Sequence, residues 1–404
     1  MQRIFLYLGV FLLTFVSVTI IGVWLTGDGG TGPVATADQP AGDTREIAFV
    51  ANAVGGTITL IDLDTQTVVG HVNVVPDGEV VGFFRDPIQS LIGQPIMQSF
   101  GGLNFAQDTD LSPDGTVLYV ARGHLGDVAA FDIASGALLW RRPVAGFRAD
   151  HMTLSKDGRR LFVAAMTGGV VEVFDTATAT HVGSFKTGTF PHDNHVSHDG
   201  QRIFNASLGN MIEDEPDRGA SDFAYLITVA DVETLEVLDA YAFDRGIRPF
   251  AVTREESELY AQLSNTHAVV AYDMSARQIV RRIDLPVQEG VTEDDWDFEA
   301  PHHGLAMTSA EDTLCIAGRA SDYAALVSTA DLSLIKTIPT GDAPSWSAIN
   351  STDRFCVVAN TRSDDVSIID LRAQDEVARL PAGRGPKHVT IGHVPVRVLD
   401  GWSN

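Results

Sequence analysis

A stretch of about 42 residues recurs along this chain, and it limits the possible folds more than any other feature. LSPDGTVLYVARGHLGDVAAFDIASGALLWRRPV begins at Leu111 and LSKDGRRLFVAAMTGGVVEVFDTATATHVGSFKT at Leu154, while VSHDGQRIFNAS opens a third copy at Val196. Ser112, Ser155 and Ser197 mark these copies, 43 and 42 residues apart. Three diverged copies follow: VTREESELYAQLSNTHAVVAYDMSARQIVRRI, MTSAEDTLCIAGRASDYAALVSTADLSLIKTI and INSTDRFCVVANTRSDDVSIIDLRAQDEVARL. Each copy holds short β-branched runs separated by an S-x-D-G turn and by Gly or Asn/Asp turns, which is a hairpin signal. Four strands in about 42 residues is the pattern of a propeller blade. The 3.6-residue period of a helical solenoid is missing.

Six complete units lie at 101–145, 146–187, 188–243, 247–285, 301–338 and 342–380. Glu46–Val74 has three outer strands and no inner one, and Gly385–Val394 reads as an inner strand without followers. Joined, they make a seventh blade that seals the ring and leaves no open sheet edge. The expected fold is therefore all-β: a seven-bladed β-propeller over 46–395, closed by pairing the two ends of the chain and preceded by one transmembrane helix. Residues 396–404 are left as a tail.

The S-x-D-G, LYVA and G-x-V-x-x-x-D stretches quoted above resemble the YVTN family of β-propellers, over about Glu46 to Val394. The resemblance implies a seven-bladed ring with an axial channel. Relatives on this scaffold include periplasmic proteins, the haem d1 propeller of nitrite reductases and assembly proteins for that cofactor. No substrate is implied.

Ile4 to Leu25 reads IFLYLGVFLLTFVSVTIIGVWL, without charge or proline. A helix of that length spans a ~30 Å hydrocarbon core. Arg3 precedes it and Asp28 is the first charge after it, which favours an N-in orientation. Residues 1–26 are read as an uncleaved anchor, since a signal peptide has an apolar core of only about 7–15 residues. Cleavage near Ala35 and Ala37 is the alternative. Either way the body lies outside the cytoplasm, on the periplasmic or extracellular face. Residues 27–45, rich in Gly, Thr, Pro and Ala, read as a flexible tether.

The chain carries 28 Lys+Arg against 53 Asp+Glu, a net charge of −25. Such a chain repels phosphate backbones, so nucleic acid is excluded as a partner. Three insertions interrupt the repeat. Val75–Phe100 is apolar, with Phe83, Phe84, Ile88, Leu91, Ile92, Ile96 and Met97, and is either a local cap on the ring or a docking surface for membrane or a partner protein. Met211–Phe223 and Pro286–Ala300 are acidic and read as solvated loops, with Trp296 making the second the better lid. The two cysteines, Cys315 and Cys356, fall at the same second-strand position of adjacent blades. Such positions are expected to exceed the ~7 Å Cα limit for a disulfide, giving two free, buried thiols. A monomer is expected.

Chemistry is sought among the twelve histidines. Aligning the blades on their second strands and reading back to each inner strand gives equivalent pairs: Gln107–Asp108, Asp150–His151, His192–Asp193, Arg248–Pro249, His303–Gly304 (after His302), Ser345–Trp346 and Lys387–His388. In a propeller these strand ends meet around one mouth of the channel. His151, His192, His303 and His388 are the candidate metal ligands, because neutral imidazole suits Zn, Cu, Fe and Ni. Asp108, Asp150, Asp193, Arg248, His302, Trp346 and Lys387 are the candidate ligand-binding residues around them. Carboxylates there would fix imidazole tautomers, and Arg248 and Lys387 would meet acid groups of an organic ligand. The plainer alternative is a water-filled polar channel. His192 and His303 stand one step off His151 and His388, and strand alternation turns one of these sets sideways. His195 lies opposite Asn194. His198 reads as a solvated turn residue, His71, His124, His181 and His267 as surface, and His393 as packing.

Sequence signatures of other chemistries are missing: no C-x-x-C-H, H-E-x-x-H, G-x-S-x-G or P-loop occurs. Three functions stay open. One is a membrane-anchored propeller that binds a ligand, metal or cofactor at its His-rich mouth, a transition metal before a tetrapyrrole. Another is a metal- or cofactor-dependent oxidoreductase using the same histidines. The last is an interaction scaffold using 75–100.

Overall fold

The structure, a computed structural model, describes residues 42–76, 78, 104–209, 211 and 225–402. The segment read as an anchor (1–26), most of the tether, nearly all of the apolar insertion 75–100 and most of the acidic insertion 211–223 lie outside these residues. Among the described residues no helix is long and apolar enough to cross a membrane.

Strands form where β-branched runs alternate with turns, and they pair as antiparallel hairpins. Strands β1 (Thr44–Asn52), β2 (Thr57–Asp62) and β3 (Thr67–Asn73) come first. Each of the next six blades contributes four consecutive strands. Their inner strands are β4 (Asp108–Leu111), β8 (Ala149–Leu154), β12 (Pro191–Val196), β16 (Ile247–Val252), β20 (Leu305–Met307) and β24 (Pro344–Ile349). The last strand, β28 (Pro386–Pro395), becomes the inner strand of the first sheet, whose order is β28-β1-β2-β3. Its register with β1 runs from Thr44↔Pro395 to Ala51↔His388. All seven sheets are four-stranded, and each inner strand lies against the next around the ring, from β4 on β8 to β28 on β4. The blades expected from the repeat, and the closing blade built from both chain ends, are those observed.

Seven apolar clusters hold the ring together, and each spans one blade–blade interface. Phe49, Leu60, Val120 and Phe131 make up one of them, Phe204, Ile227, Phe250 and Leu259 another. A blade buries its faces only against its neighbours, so closure is what completes the core. Polar ties add to it. Arg122, fully buried, grips Asp127 through Nε (2.7 Å) and Nη2 (2.6 Å) and donates to Val74 O (3.1 Å) across the closing interface.

The S-x-D-G turns are self-contained. Ser112 Oγ donates to Asp114 Oδ1 (2.6 Å), and Gly115 adopts φ +69°. The diverged copies place Glu256, Glu311 and Asp353 at that left-handed position, with φ of 51°, 59° and 53°. Each side chain reaches another blade: Glu256 to Arg202, Glu311 to Arg254 N, and Asp353 to Ser309. The conformational cost of a non-glycine residue is thus offset by a contact that glycine cannot make.

Three expectations need correction. Cys315, in β21 (Thr313–Gly318), and Cys356, in β25 (Phe355–Asn360), form a disulfide with Cα atoms 6.6 Å apart. Second strands still lie near the hub, where wedge-shaped blades converge, so equivalent positions fall within bridging range. The blade begins at Thr44, inside the stretch read as tether. Residues 396–402 are part of the ring: Val398, Leu399 and Trp402 pack on the closing interface, and Trp402 Nε1 donates to Ile133 O (3.0 Å). Gly70 makes room for that indole, since a Cβ there would meet its ring at 2.3 Å.

Candidate functional site

The inner strands deliver their first residues to the hub through a repeated irregularity. Pairing of β8 with its neighbour jumps from Ala149 to Met152, passing over Asp150 and His151. In β12 it jumps from Pro191 to Asn194, and in β16 from Ile247 to Phe250. In β24 the shift falls between Pro344 and Trp346. Such bulges bend a strand and re-aim its side chains. Successive residues therefore need not alternate in and out, as a regular strand would require.

The equivalent pairs sort into two tiers. Gln107, Asp150, His192, Arg248, His303 and Lys387, each the first of its pair, line one pocket, a cavity of about 30 Å³. The second members Asp108, His151, Trp346 and His388 are not among its lining residues and form a buried layer of their own. There, His151 stacks on Trp346 (centroids 4.6 Å, planes 21° apart), and Trp346 lies 4.2 Å from His388. Gly304 (φ +147°) lets the Trp346 backbone approach, since a Cβ would meet Trp346 Cα at 2.7 Å.

Asp108 anchors this buried layer. Its Oδ2 faces His151 Nδ1 (3.1 Å) and accepts from Met152 N (2.8 Å). Its Oδ1 accepts from Thr109 N (2.5 Å) and lies 2.8 Å from His388 Nδ1, off the line of a hydrogen bond. Burial opposes ionisation, but His388 and His151 outweigh it and hold the carboxyl well below its usual range. In the pocket tier, Asp150 Oδ2 faces His192 Nδ1 (3.0 Å), and Oδ1 accepts from Gln107 Nε2 (2.5 Å). His192 and Arg148 overcome the burial of Asp150 and keep it ionised.

These contacts set the imidazole tautomers. A ring nitrogen facing a carboxylate or carbonyl carries the proton, which leaves the other nitrogen with its lone pair. His303 Nδ1 donates to Ser345 O (2.9 Å). His151 Nε2 lies 3.3 Å from the Gln107 amide nitrogen. His192 Nε2 is buried without a hydrogen-bond partner. Burial pushes the His192 pKa down to about 4, against the pull of Asp150. Burial also lowers His388, and burial with His192 and Arg248 holds His303 well below 6.5. His151 goes the other way: Asp108, Asp150 and Asp193 outweigh its burial and raise it.

Among the described residues, two sets of donor atoms are close enough to share an ion, with all members buried and within 4.8 Å of one another: Asp150, His151 and His192, and Asp108, His151 and His388. The four candidate histidines thus divide into two groups that share His151, while His303 joins neither. It lies beside them, 5.4 Å from His192 and 6.4 Å from His151 between centroids.

Other candidates stand apart from the pocket. His302 packs edge-on against His267 (5.5 Å), and the ring nitrogens of both make no hydrogen bond. Asp193 is engaged by His195 Nε2 (3.1 Å) and Phe250 N (3.4 Å). His124 and His267, read as surface residues, are buried. His124 Nδ1 accepts from Asn104 N (2.8 Å), so this ring serves the backbone of the pocket wall. Arg148 and Arg319 line the pocket and were not singled out from the sequence. They lie just before β8 and just after β21, outside the inner-strand positions that the repeat aligns. Arg319 is held by Asp297 (3.0 Å), so the acidic insertion 286–300 helps build the pocket.

No curated protein sequence matches the chain. Among solved structures, hydrazine synthase of Kuenenia stuttgartiensis is similar in fold, with a TM-score of 0.62, 19% identity, and coverage of 80% of this chain and 91% of that one. A likeness at that identity shows the fold alone. The family described as "Lactonase, 7-bladed beta-propeller" matches residues 108–382, more than half of the chain, and the chain belongs to that family.

Proposed function

We propose that the hub is a metal-binding site in which His151, His192 and Asp150 hold a transition-metal ion such as zinc. One observation carries this reading: the three donor groups are buried together, and His192 Nε2 has no partner in a polar interior. Buried polar atoms rarely stay unpaired without a reason. This set is favoured over the one around Asp108 because Asp108 already accepts from Thr109 N and Met152 N and faces His151 Nδ1, whereas His192 Nε2 presents an open lone pair. The 4.8 Å spread exceeds the about 3.4 Å edge of a tetrahedral zinc site, so the donors draw inward on binding, and Asp150 gives up its contact to His192 Nδ1 to reach the ion. When bound, the ion supplies Lewis acidity. Asp108 keeps His151 oriented, and Arg148, Arg248 and Lys387 set the charge of the pocket above. Metal analysis of purified protein and a cobalt titration followed by visible absorption test the reading. Stoichiometric uptake lost in His151→Ala and His192→Ala supports it; a colourless, metal-free protein that takes up no cobalt rejects it.

A second reading follows from the family's description. The Asp150–His192 pair, with an open Nε2 beside cationic groups, suits a general base that activates water against a lactone carbonyl. Hydrolysis of glucono-δ-lactone by chelator-treated protein, lost in His192→Gln, would favour it over the metal reading.

Placement outside the cytoplasm belongs to the same proposal. The Ile4–Leu25 run supports an anchor, and the Cys315–Cys356 disulfide fits an oxidising compartment. The S-x-D-G copies support a YVTN-type repeat within the propeller class. The apolar 75–100 insertion remains the candidate surface for a protein partner.

A further inference from the structure

We propose that the ring carries a second small-molecule site, at the end of its axis away from the hub pocket, where a neutral hydroxyaromatic ligand donates a hydrogen bond to His195. The site is separate from the metal reading and does not depend on it. Residues at the start of the inner strands line the hub pocket. A different cavity is lined by their last residues: Val196 of β12, Val252 of β16, Met307 of β20 and Ile349 of β24. Its volume is about 360 Å³, within the roughly 300–1,000 Å³ of ordinary ligand pockets. Phe204, Phe250, Leu305 and Trp346 extend the apolar wall. Trp346 also stacks on His151, so one indole borders both this cavity and the buried layer of the hub.

One imidazole gives this apolar cavity its polar chemistry. His195 Nε2 faces Asp193 Oδ2 (3.1 Å), and Asp193 also accepts from Asn194 N (2.9 Å) and Phe250 N (3.4 Å). Burial opposes ionisation of Asp193, but His195 outweighs it and holds the carboxyl below its usual range. An ionised carboxylate keeps the imidazole proton on Nε2 and leaves Nδ1 with its lone pair. That nitrogen has no protein partner among the described residues, and the side chain is 41% exposed, edge-on to Phe250 (4.5 Å). The hydroxyls of the lining have given their protons to the protein: Ser197 to Asp199, Ser347 to Cys315 O and Thr253 to Glu258 O. His198, the other imidazole of the lining, is exposed to solvent in its turn. Among the described residues no lysine or arginine lines the cavity, and its one carboxylate, Glu256, is paired with Arg202 (2.9 Å). A charged ligand would lose water without gaining a counter-ion. A flat apolar body with one hydroxyl donor matches both the wall and the open acceptor.

Equilibrium dialysis of the full chain tests the proposal, with detergent at the same concentration on both sides. The probes are β-naphthol, its methyl ether and β-naphthoate. Saturable binding of naphthol, about fivefold tighter than the ether as one hydrogen bond allows, supports the site. Naphthoate should bind more weakly than naphthol. Met307→Trp, whose indole fills the cavity, should abolish naphthol binding. His195→Phe should retain it at the level of the ether, with the preference for the hydroxyl gone. Circular dichroism checks that both variants are folded. Metal-free and zinc-loaded protein should bind alike, so failed zinc uptake leaves this proposal standing, and zinc uptake without naphthol binding overturns this proposal alone. Equal naphthol affinity in wild type and Met307→Trp, no preference over the ether, or tighter binding of naphthoate also overturns it.

Discussion

Asp108→Asn is the substitution from which the hub has most to lose. The carboxylate fixes His151 through Nδ1 at 3.1 Å and lies 2.8 Å from His388 Nδ1, while accepting the Met152 N–H. Asparagine keeps the shape but offers one oxygen and one amide nitrogen. If the oxygen takes the Oδ1 place, beside Thr109 N–H, the amide meets Met152 N–H donor to donor and donates to His151 Nδ1, moving that ring's proton to Nε2, where it blocks a metal. If the oxygen takes the Oδ2 place, it keeps Met152 and His151, but the amide meets the Thr109 N–H donor to donor and the carboxylate charge beside both imidazoles is lost. Disturbing a carboxylate that orients a metal-ligating histidine typically costs about 10- to 100-fold in affinity, or about 1.4–2.7 kcal/mol. Zinc affinity, measured by competition with a chromophoric chelator, should therefore fall by about that factor. Asp110→Asn is the control. Its carboxylate accepts from Leu111 N (2.7 Å) and Leu154 N (2.8 Å), away from the imidazoles, so zinc affinity should stay within about threefold. Unchanged affinity in Asp108→Asn, with the fold intact by circular dichroism, refutes the assignment of Asp108 as the group that positions His151.

Other outcomes follow from the same coordinates. Reducing Cys315–Cys356, or replacing both residues with serine, releases a crosslink across 41 residues, and urea unfolding should show a loss of ~4 kcal/mol. Burial holds the His124 and His302 pKa values down to about 3 and also lowers His267, so the folded state resists protonation that the unfolded chain accepts below about 6.5. The Tm of metal-free protein should therefore drop as pH falls from 7 to 4, and His124→Asn should flatten that slope. Gly70→Ala drives a methyl into the Trp402 ring, and a lower Tm with red-shifted tryptophan emission is expected, at a cost of about 1–3 kcal/mol.

Most of the fold was legible because a propeller repeats its turn chemistry in every blade. Ser112, Ser155 and Ser197 give the period, and the missing strand at one end of the chain matches the surplus strand at the other. The hub was legible in part. Aligning inner strands brought Asp150, His192, Arg248, His303 and Lys387 to one mouth, but strand alternation could not foretell the bulges that stack His151 and His388 behind them. Arg148 and Arg319 escaped notice because they lie between strands, Arg148 in the irregular segment before β8 and Arg319 at the start of a short 3-10 helix after β21, outside the inner-strand positions that were aligned. The disulfide escaped because the taper of the blades toward the hub is a property of the closed ring rather than of any one copy. His124 shows the same limit: its burial depends on the neighbouring blade, whose Arg148 lies 3.2 Å from its Nε2.

X-ray absorption at the zinc edge, on protein loaded with one equivalent, addresses the hub most directly. Two imidazole nitrogens and a carboxylate oxygen at about 2.0–2.2 Å, with one imidazole lost in each of His151→Ala and His192→Ala, is the expected result. A hydrated ion without imidazole scattering, or a spectrum identical in both variants, would contradict the proposed centre.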